Sequence, residues 1–278
     1  LYSYDRALFG IASSSGYTGV TGSLYLNSGT VSLTTVSLGQ SQDYTGVVNV
    51  SGGTLTVSQS LVVGGSGDGR FVMSGGTAVL QNLTISNADG PGVGHVTVSG
   101  GSLTITGGLS TGGSNSRGGS LTVKGGSFDY GATFAHTAGS LNLSSRADEI
   151  RIGTLSMYGT ASLTLEVAGG KEISGPIVQL QNWDTATSTE FKLDLSEYSA
   201  TQDKILDLAT VASYVSDDVL NHNWVIEGLN EGSYEIVGGS PYWDDQTLKV
   251  AINYIPEPSA AAGLLGALVL ALAARRRR

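Results

Sequence analysis

The chain contains no cysteine, so disulfides and thiolate metal sites are both excluded. Its stability must come from a packed core and from hydrogen-bond ladders. Charge is scarce as well: 13% of the 278 residues are Asp, Glu, Lys or Arg. There are three histidines, His95, His136 and His222, and none stands at the i, i+4 spacing of a helical metal pair. Positive charge is in deficit. The net charge is −9 with 23 acids against 14 bases, and setting aside the four terminal arginines leaves −13. Such an acidic body argues against nucleic acid or an anionic surface as its main partner. The opening residues Leu1-Tyr2-Ser3-Tyr4-Asp5-Arg6 show no initiator Met and no apolar leader core, which reads as a mature or shortened chain whose N-terminal signal is missing.

Glycine is abundant, at 41 residues against five prolines. No Gly-X-Y period runs through it, so collagen is excluded, and tight turns in a repetitive all-β fold remain. One phrase recurs: Asn-Ser-Gly-Thr-Val-Ser-Leu at 27–33, then Ser-Gly-Gly-Thr-Leu-Thr-Val at 51–57. Ser-Gly-Gly-Thr-Ala-Val-Leu follows at 74–80, Ser-Gly-Gly-Ser-Leu-Thr-Ile at 99–105, and Lys-Gly-Gly-Ser-Phe-Asp-Tyr at 124–130. Counted from Ser28, Ser51, Ser74, Ser99 and Lys124, the steps are 23, 23, 25 and 25. A period of that size means one supersecondary unit per repeat, stacked on its neighbours. Apolar and hydroxyl residues alternate after each Gly-Gly, as in Thr54-Leu55-Thr56-Val57, which is strand periodicity. Short strands precede it (Val47–Val50, Phe71–Met73, Val96–Val98) and follow it (Leu61–Val63, Leu83–Ile85). Three strands with glycine corners make one coil of a right-handed parallel β-helix, in which glycine supplies the positive φ of the corner. A β-sandwich or meander with the same hairpin rhythm is the competing fold. The region 1–145 resembles the autotransporter-associated β-strand repeats of large bacterial surface proteins.

Past residue 145 the period fades, and beyond Trp183 charge and aromatics rise. Residues 146–254 are expected to form a β-rich cap that covers the last coil and its open edge. Within it, Trp224-Val225-Ile226, Tyr234–Val237 and Thr247–Ala251 are expected as closing antiparallel strands, and Asp217-Asp218-Val219-Leu220 as a short turn.

At the far end stand Pro256-Glu257-Pro258, then sixteen uncharged, mostly Ala and Leu residues from Ser259 to Ala274, then Arg275, Arg276, Arg277 and Arg278. As a helix, 259–274 would be about 24 Å long, slightly short of the ~30 Å hydrocarbon core of a bilayer. Snorkelling arginines would make up the difference, and their charge favours a cytoplasmic C-terminus. The region 255–278 resembles the PEP-CTERM sorting signal of Gram-negative bacteria. The resemblance implies that Pro256, Glu257 and Pro258 are recognised by a membrane transpeptidase, the exosortase. The tail would hold the exported chain in the inner membrane until it is cut, and the body would then pass to the cell surface or extracellular matrix. An ordinary, permanent single-pass anchor is the plainer reading of the same residues.

Candidate chemistry is thin. Between Val47 and Ser145 the acids are Asp68, Asp89 and Asp129 and the bases Arg70, Arg117 and Lys124. That is too sparse for the clustered carboxylates of a polysaccharide-cleaving site. Gly64-Gly65-Ser66-Gly67-Asp68-Gly69 holds half of a calcium-binding nonapeptide and lacks the second half. Asp244-Asp245 reads as a solvated turn. Trp183, Trp224, Trp243 and Tyr242 would either pack the core of the cap or stack on carbohydrate. The expectation is therefore a non-enzymatic surface protein, structural or adhesive, with no catalytic residues, cofactor or metal. Its partners would be exosortase, the inner membrane and extracellular polysaccharide, and a carbohydrate-binding or polysaccharide-acting β-helix is the alternative.

Overall fold

The computed structural model describes residues 2–9, 19, 21–86, 91–112, 118–169, 175–186, 188–199, 202–229 and 234–255. They form an all-β solenoid, with parallel strands stacked in ladders on three faces. On the first face Thr21–Leu26 lies over Thr45–Val50, then over 68–73, 94–98 and 120–123. The second face stacks 30–33, 54–57, 77–80, 102–105 and 127–130. The third stacks 35–38, 61–63, Leu83–Ile85 and Leu109–Thr111. Tyr2–Phe9 adds the opening rung of the second and third faces. Parallel pairing throughout these ladders excludes the sandwich and the meander for this region, since their neighbouring strands run antiparallel.

Register follows the repeat, with one correction. Asn27 stands beside Ser51, whose hydroxyl donates to Asn27 Oδ1 at 2.7 Å. Thr30 therefore pairs with Thr54, and the first step is 24 residues, not the 23 counted from Ser28. The next steps are 23 and 25, from Thr54↔Thr77 and Thr77↔Ser102.

The Gly-Gly corner between the first two faces needs both of its glycines. In the pair Gly75-Gly76, Gly76 has φ +73°, a region that strains any residue with a Cβ. Gly75 has an ordinary φ, yet a Cβ there would lie 2.4 Å from the carbonyl oxygen of Ser51 in the coil above. Gly52-Gly53, Gly100-Gly101 and Gly125-Gly126 repeat the arrangement. One glycine serves conformation and the other serves the close approach of successive coils.

Alternation sends every second side chain inward. Val48, Phe71, Val96 and Leu121 form one buried column, and Val50, Met73, Val98 and Val123 another. Each such side chain stabilises the fold by about 1.5–3 kcal/mol relative to exposure. Outward positions carry Thr, Ser and Asn, which suit a strand with one wet side.

The parallel ladder continues beyond residue 145. Glu149–Glu166 pairs parallel to Gly119–Ser144, Val178–Thr185 and Glu190–Asp194 pair parallel to Glu149–Glu166, and Lys204–Val215 pairs parallel to Val178–Thr185. Trp224–Glu227, expected as a closing antiparallel strand, pairs parallel to Glu190–Asp194. The period vanishes from the sequence because the coils change length. Ser127↔Glu149 is a step of 22, Arg151↔Gln179 of 28, Gln179↔Thr210 of 31 and Phe191↔Trp224 of 33. The inward alternation survives the change of length without the Gly-Gly landmark.

Antiparallel pairing is confined to the last described segment. Thr247–Tyr254 runs antiparallel to Lys204–Val215, to Tyr234–Ile236 and to Tyr242–Asp244, and so covers the second face's last rung. Asp217–Leu220, expected as a short turn, is a single helical turn. Among the described residues no helix is long and apolar enough to cross a membrane. The tail 256–278, with Pro256, Glu257, Pro258, the helix expected over 259–274 and Arg275 to Arg278, lies outside the described residues.

Candidate functional site

The residues singled out in the sequence do not converge on one place. Asp68 Oδ1 accepts from the Val93 amide at 3.2 Å, tying adjacent turns together as a turn aspartate does. With Asp43 it borders a hollow of about 270 Å³. Asp89 and Arg117 lie outside the described residues. Arg70 and His95 are neighbours on the outer first face, where the His95 ring nitrogen Nδ1 shares a hydrogen bond with Ser120 Oγ at 2.7 Å. Among the described residues no three His, Asp or Glu side chains gather closely enough to hold a metal ion.

His136 is fully buried, inside the column that runs Ile85, Thr111, His136, Met157 on the third face. Its Nε2 lies 3.2 Å from the carbonyl oxygen of Ser162, which can only accept, so Nε2 carries the proton. Nδ1 then accepts from Thr111 Oγ1. Burial pushes the ring's pKa down to about 4, partly offset by the backbone hydrogen bonds to Ser162 and Gly139. The ring is a neutral, satisfied core group.

The aromatics of the end region also pack inward. Trp183 is fully buried, with its ring 5.4 Å from Phe191 and 6.0 Å from Trp243. Trp224 lies 5.2 Å from Phe191, and the His222 ring lies 4.1 Å from Phe191. Trp224 and Trp243 are half-buried against the core, and Tyr242 is exposed. No row of exposed indoles offers itself to a sugar.

A groove does form, at a place no motif marks. It holds about 600 Å³ and crosses the coils at the corner between the second and third faces. Its lining comes in rungs, 129–131, 151–153, 179–181, 210–212 and 245–247. Five rungs at the ~4.8 Å ladder spacing make it about 19 Å long. Register aligns one outward side chain per rung: Asp129 beside Arg151, Arg151 beside Gln179, Gln179 beside Thr210, and Thr210 beside Thr247. The end is closed by the hairpin turn at Asp245 (φ +54°), whose neighbour Gln246 accepts at its carbonyl from the Val211 amide at 2.9 Å.

Small residues keep the groove open. A Cβ on Gly131 would meet nothing within 4 Å, whereas one on Gly153 would lie 2.3 Å from the Gly131 carbonyl oxygen. Gly153 is thus fixed by backbone contact, and Gly131 leaves an empty wall. Glu149 engages Arg151 Nε at 2.9 Å. Among the described residues, the side chains of Asp129, Gln179, Gln181, Thr210 and Gln246 make no hydrogen bond to another residue. The missed signal was the pair of isolated glycines, Gly131 and Gly153, each two residues after an outward charged residue.

Comparison with protein-family models, with curated proteins and with solved structures finds no match.

Proposed function

We propose that this chain is an exported surface protein of a Gram-negative bacterium, a right-handed β-helix that serves as a structural or adhesive element of the envelope or its polysaccharide matrix. The observation that carries the reading is the order Pro256-Glu257-Pro258, apolar run 259–274, Arg275 to Arg278. The last described strand, Thr247–Tyr254, ends two positions before Pro256. Pro256, Glu257 and Pro258 are the recognition element for exosortase, the apolar run retains the chain in the inner membrane, and the arginines orient it. Right-handed winding follows the preference of parallel crossovers. The body carries no catalytic role. Outward hydroxyls, glycine corners and an acidic balance suit a long-lived, hydrated scaffold.

The mass of the C-terminal peptide of protein recovered from native cells, with and without exosortase, tests this. Loss of everything after the Pro-Glu-Pro region only in the strain that has exosortase is the expected result. An intact Arg278 terminus in both strains would replace sorting with a permanent anchor.

Carbohydrate recognition is a second reading. The packing of Trp183, Trp224 and Trp243 weakens its aromatic form, and the polar groove moves it to another part of the molecule.

A further inference from the structure

We infer that the groove over rungs 129–131 to 245–247 is a binding site for one extended, uncharged polysaccharide strand lying along the solenoid axis. The choice of glycan rests in part on the surface placement proposed above. The rest comes from the groove itself.

Its outward column presents a carboxylate, a guanidinium, an amide and two hydroxyls in succession, from Asp129 through Arg151, Gln179 and Thr210 to Thr247. Gln181 and Gln246 add amides from the walls. Amides and carboxylates bind vicinal hydroxyls because each offers donor or acceptor pairs at the right separation. The rung spacing of ~4.8 Å is close to the length of one pyranose unit in an extended chain, so successive sugars meet successive rungs.

Other occupants fit less well. A polyanion would face Asp129 and Asp245 in a body of net charge −13, with the groove's one guanidinium shared with Glu149. A peptide adding as a strand needs an unpaired backbone edge. Here the strand residues of the lining, Arg151 and Ile152 against Gln179 and Leu180 and these against Thr210 and Val211, are already paired rung to rung. A small apolar ligand would find open polar walls in place of a closed apolar cavity.

Gly131 supplies the decisive variant. A Cβ on Gly131 meets no atom within 4 Å, so the ring of Gly131→Phe is expected to fill the open space beside Asp129 and Arg151. The full chain is titrated by calorimetry with neutral hexasaccharides of glucose, mannose and xylose, with hexagalacturonate, and with an extended Ser/Gly peptide. At least one neutral hexasaccharide is expected to bind, and Gly131→Phe to weaken it by about tenfold or more, with the thermal midpoint unchanged. The double variant Gln179→Ala, Gln181→Ala, which alters exposed side chains only, weakens the same ligand, and Thr56→Val on a distant coil does not. The proposal is overturned if no neutral hexasaccharide binds, if binding survives both groove variants, or if the peptide or hexagalacturonate is preferred. The titration uses purified protein, so its outcome is independent of the C-terminal mass measurement, and either reading can fail alone.

Discussion

In every coil the chain turns from the second face to the third, and coils on the two sides of residue 130 make that turn differently. Upstream, side chains fill the corner. Asn82 Nδ2 donates to the Gln59 carbonyl at 2.6 Å, and Asn82 Oδ1 accepts from the Gly108 amide at 2.7 Å, so one side chain links three successive coils. Downstream, the corner residues are Gly131, Gly153 and Gln181, and the nearest side-chain bridge between coils among the described residues, Asn182 Nδ2 donating to Thr154 Oγ1 at 3.0 Å, lies one residue beyond them; the groove opens at this corner. The inward columns run through both regions without interruption, as from Val57 and Leu80 through Ile105, Tyr130 and Ile152 to Leu180 and Val211. The difference teaches that core and corner are separable in this fold. Stacking fixes the inner alternation, and the corner is then free to be either sealed or hollow.

The largest way to test that separation compares two glycines. Gly76 has φ +73°, and a Cβ on it would lie 2.6 Å from the carbonyl oxygen of Gly53. Gly76→Ala is expected to cost about 3 kcal/mol, from left-handed strain plus displaced backbone. Gly131→Ala, with open space around it, should change stability by about 0.5 kcal/mol or less. Denaturant midpoints of the two variants measure this directly. Equal losses would mean that the downstream corner is as constrained as the Gly-Gly corner.

His136 sharpens the comparison from inside the core. Its pKa is lowered to about 4 from an ordinary 6.5, so the unfolded chain takes up a proton at pH values where the folded chain does not. The stability attached to the neutral ring is complete above pH 6.5, declines as pH falls below it, and is gone below pH 4. By pH 5 the loss is about 2 kcal/mol. His136→Gln removes this titration, so the pH dependence of unfolding between pH 7 and 5 should flatten by that amount relative to the unaltered chain. An unchanged slope would show that the buried ring does not stay neutral.

What the sequence disclosed tracks the physics of repetition. The phrase at 51–57, 74–80 and 99–105 announces strand, corner and coil length together, because identical coils must stack in identical register. The first copy misled by one residue since Ser28-Gly29 imitates a Ser-Gly-Gly start, whereas Asn27 is the residue beside Ser51. Past residue 145 the alternation in Ser162–Val167 and Phe191–Leu195 remained legible as strands. Their parallel pairing was hidden, because turns of changing length carry no sequence signal of which strand they return to. Burial of His136 was equally invisible, for a lone histidine on a strand reads the same on either face. The groove was least legible of all, since Asp129, Arg151, Gln179 and Thr210 are neighbours only through register.

The smallest expected effect bears most directly on the sealed corner. Asn82 is half-buried, and both of its bridging bonds face solvent. Asn82→Ala releases the Gln59 carbonyl and the Gly108 amide to water instead of stranding them, so the cost should be about 1 kcal/mol, the net value of such bonds and not their full desolvation penalty. The same change should raise hydrogen exchange at the Gly108 amide and leave Leu83 protected, because the Leu83 amide is held separately by the Gly108 carbonyl at 2.8 Å. If exchange rose at both positions, the side chain would be holding the coil spacing itself. The corner and the core would then be coupled, and the hollow downstream corner would need another element to keep its coils in register.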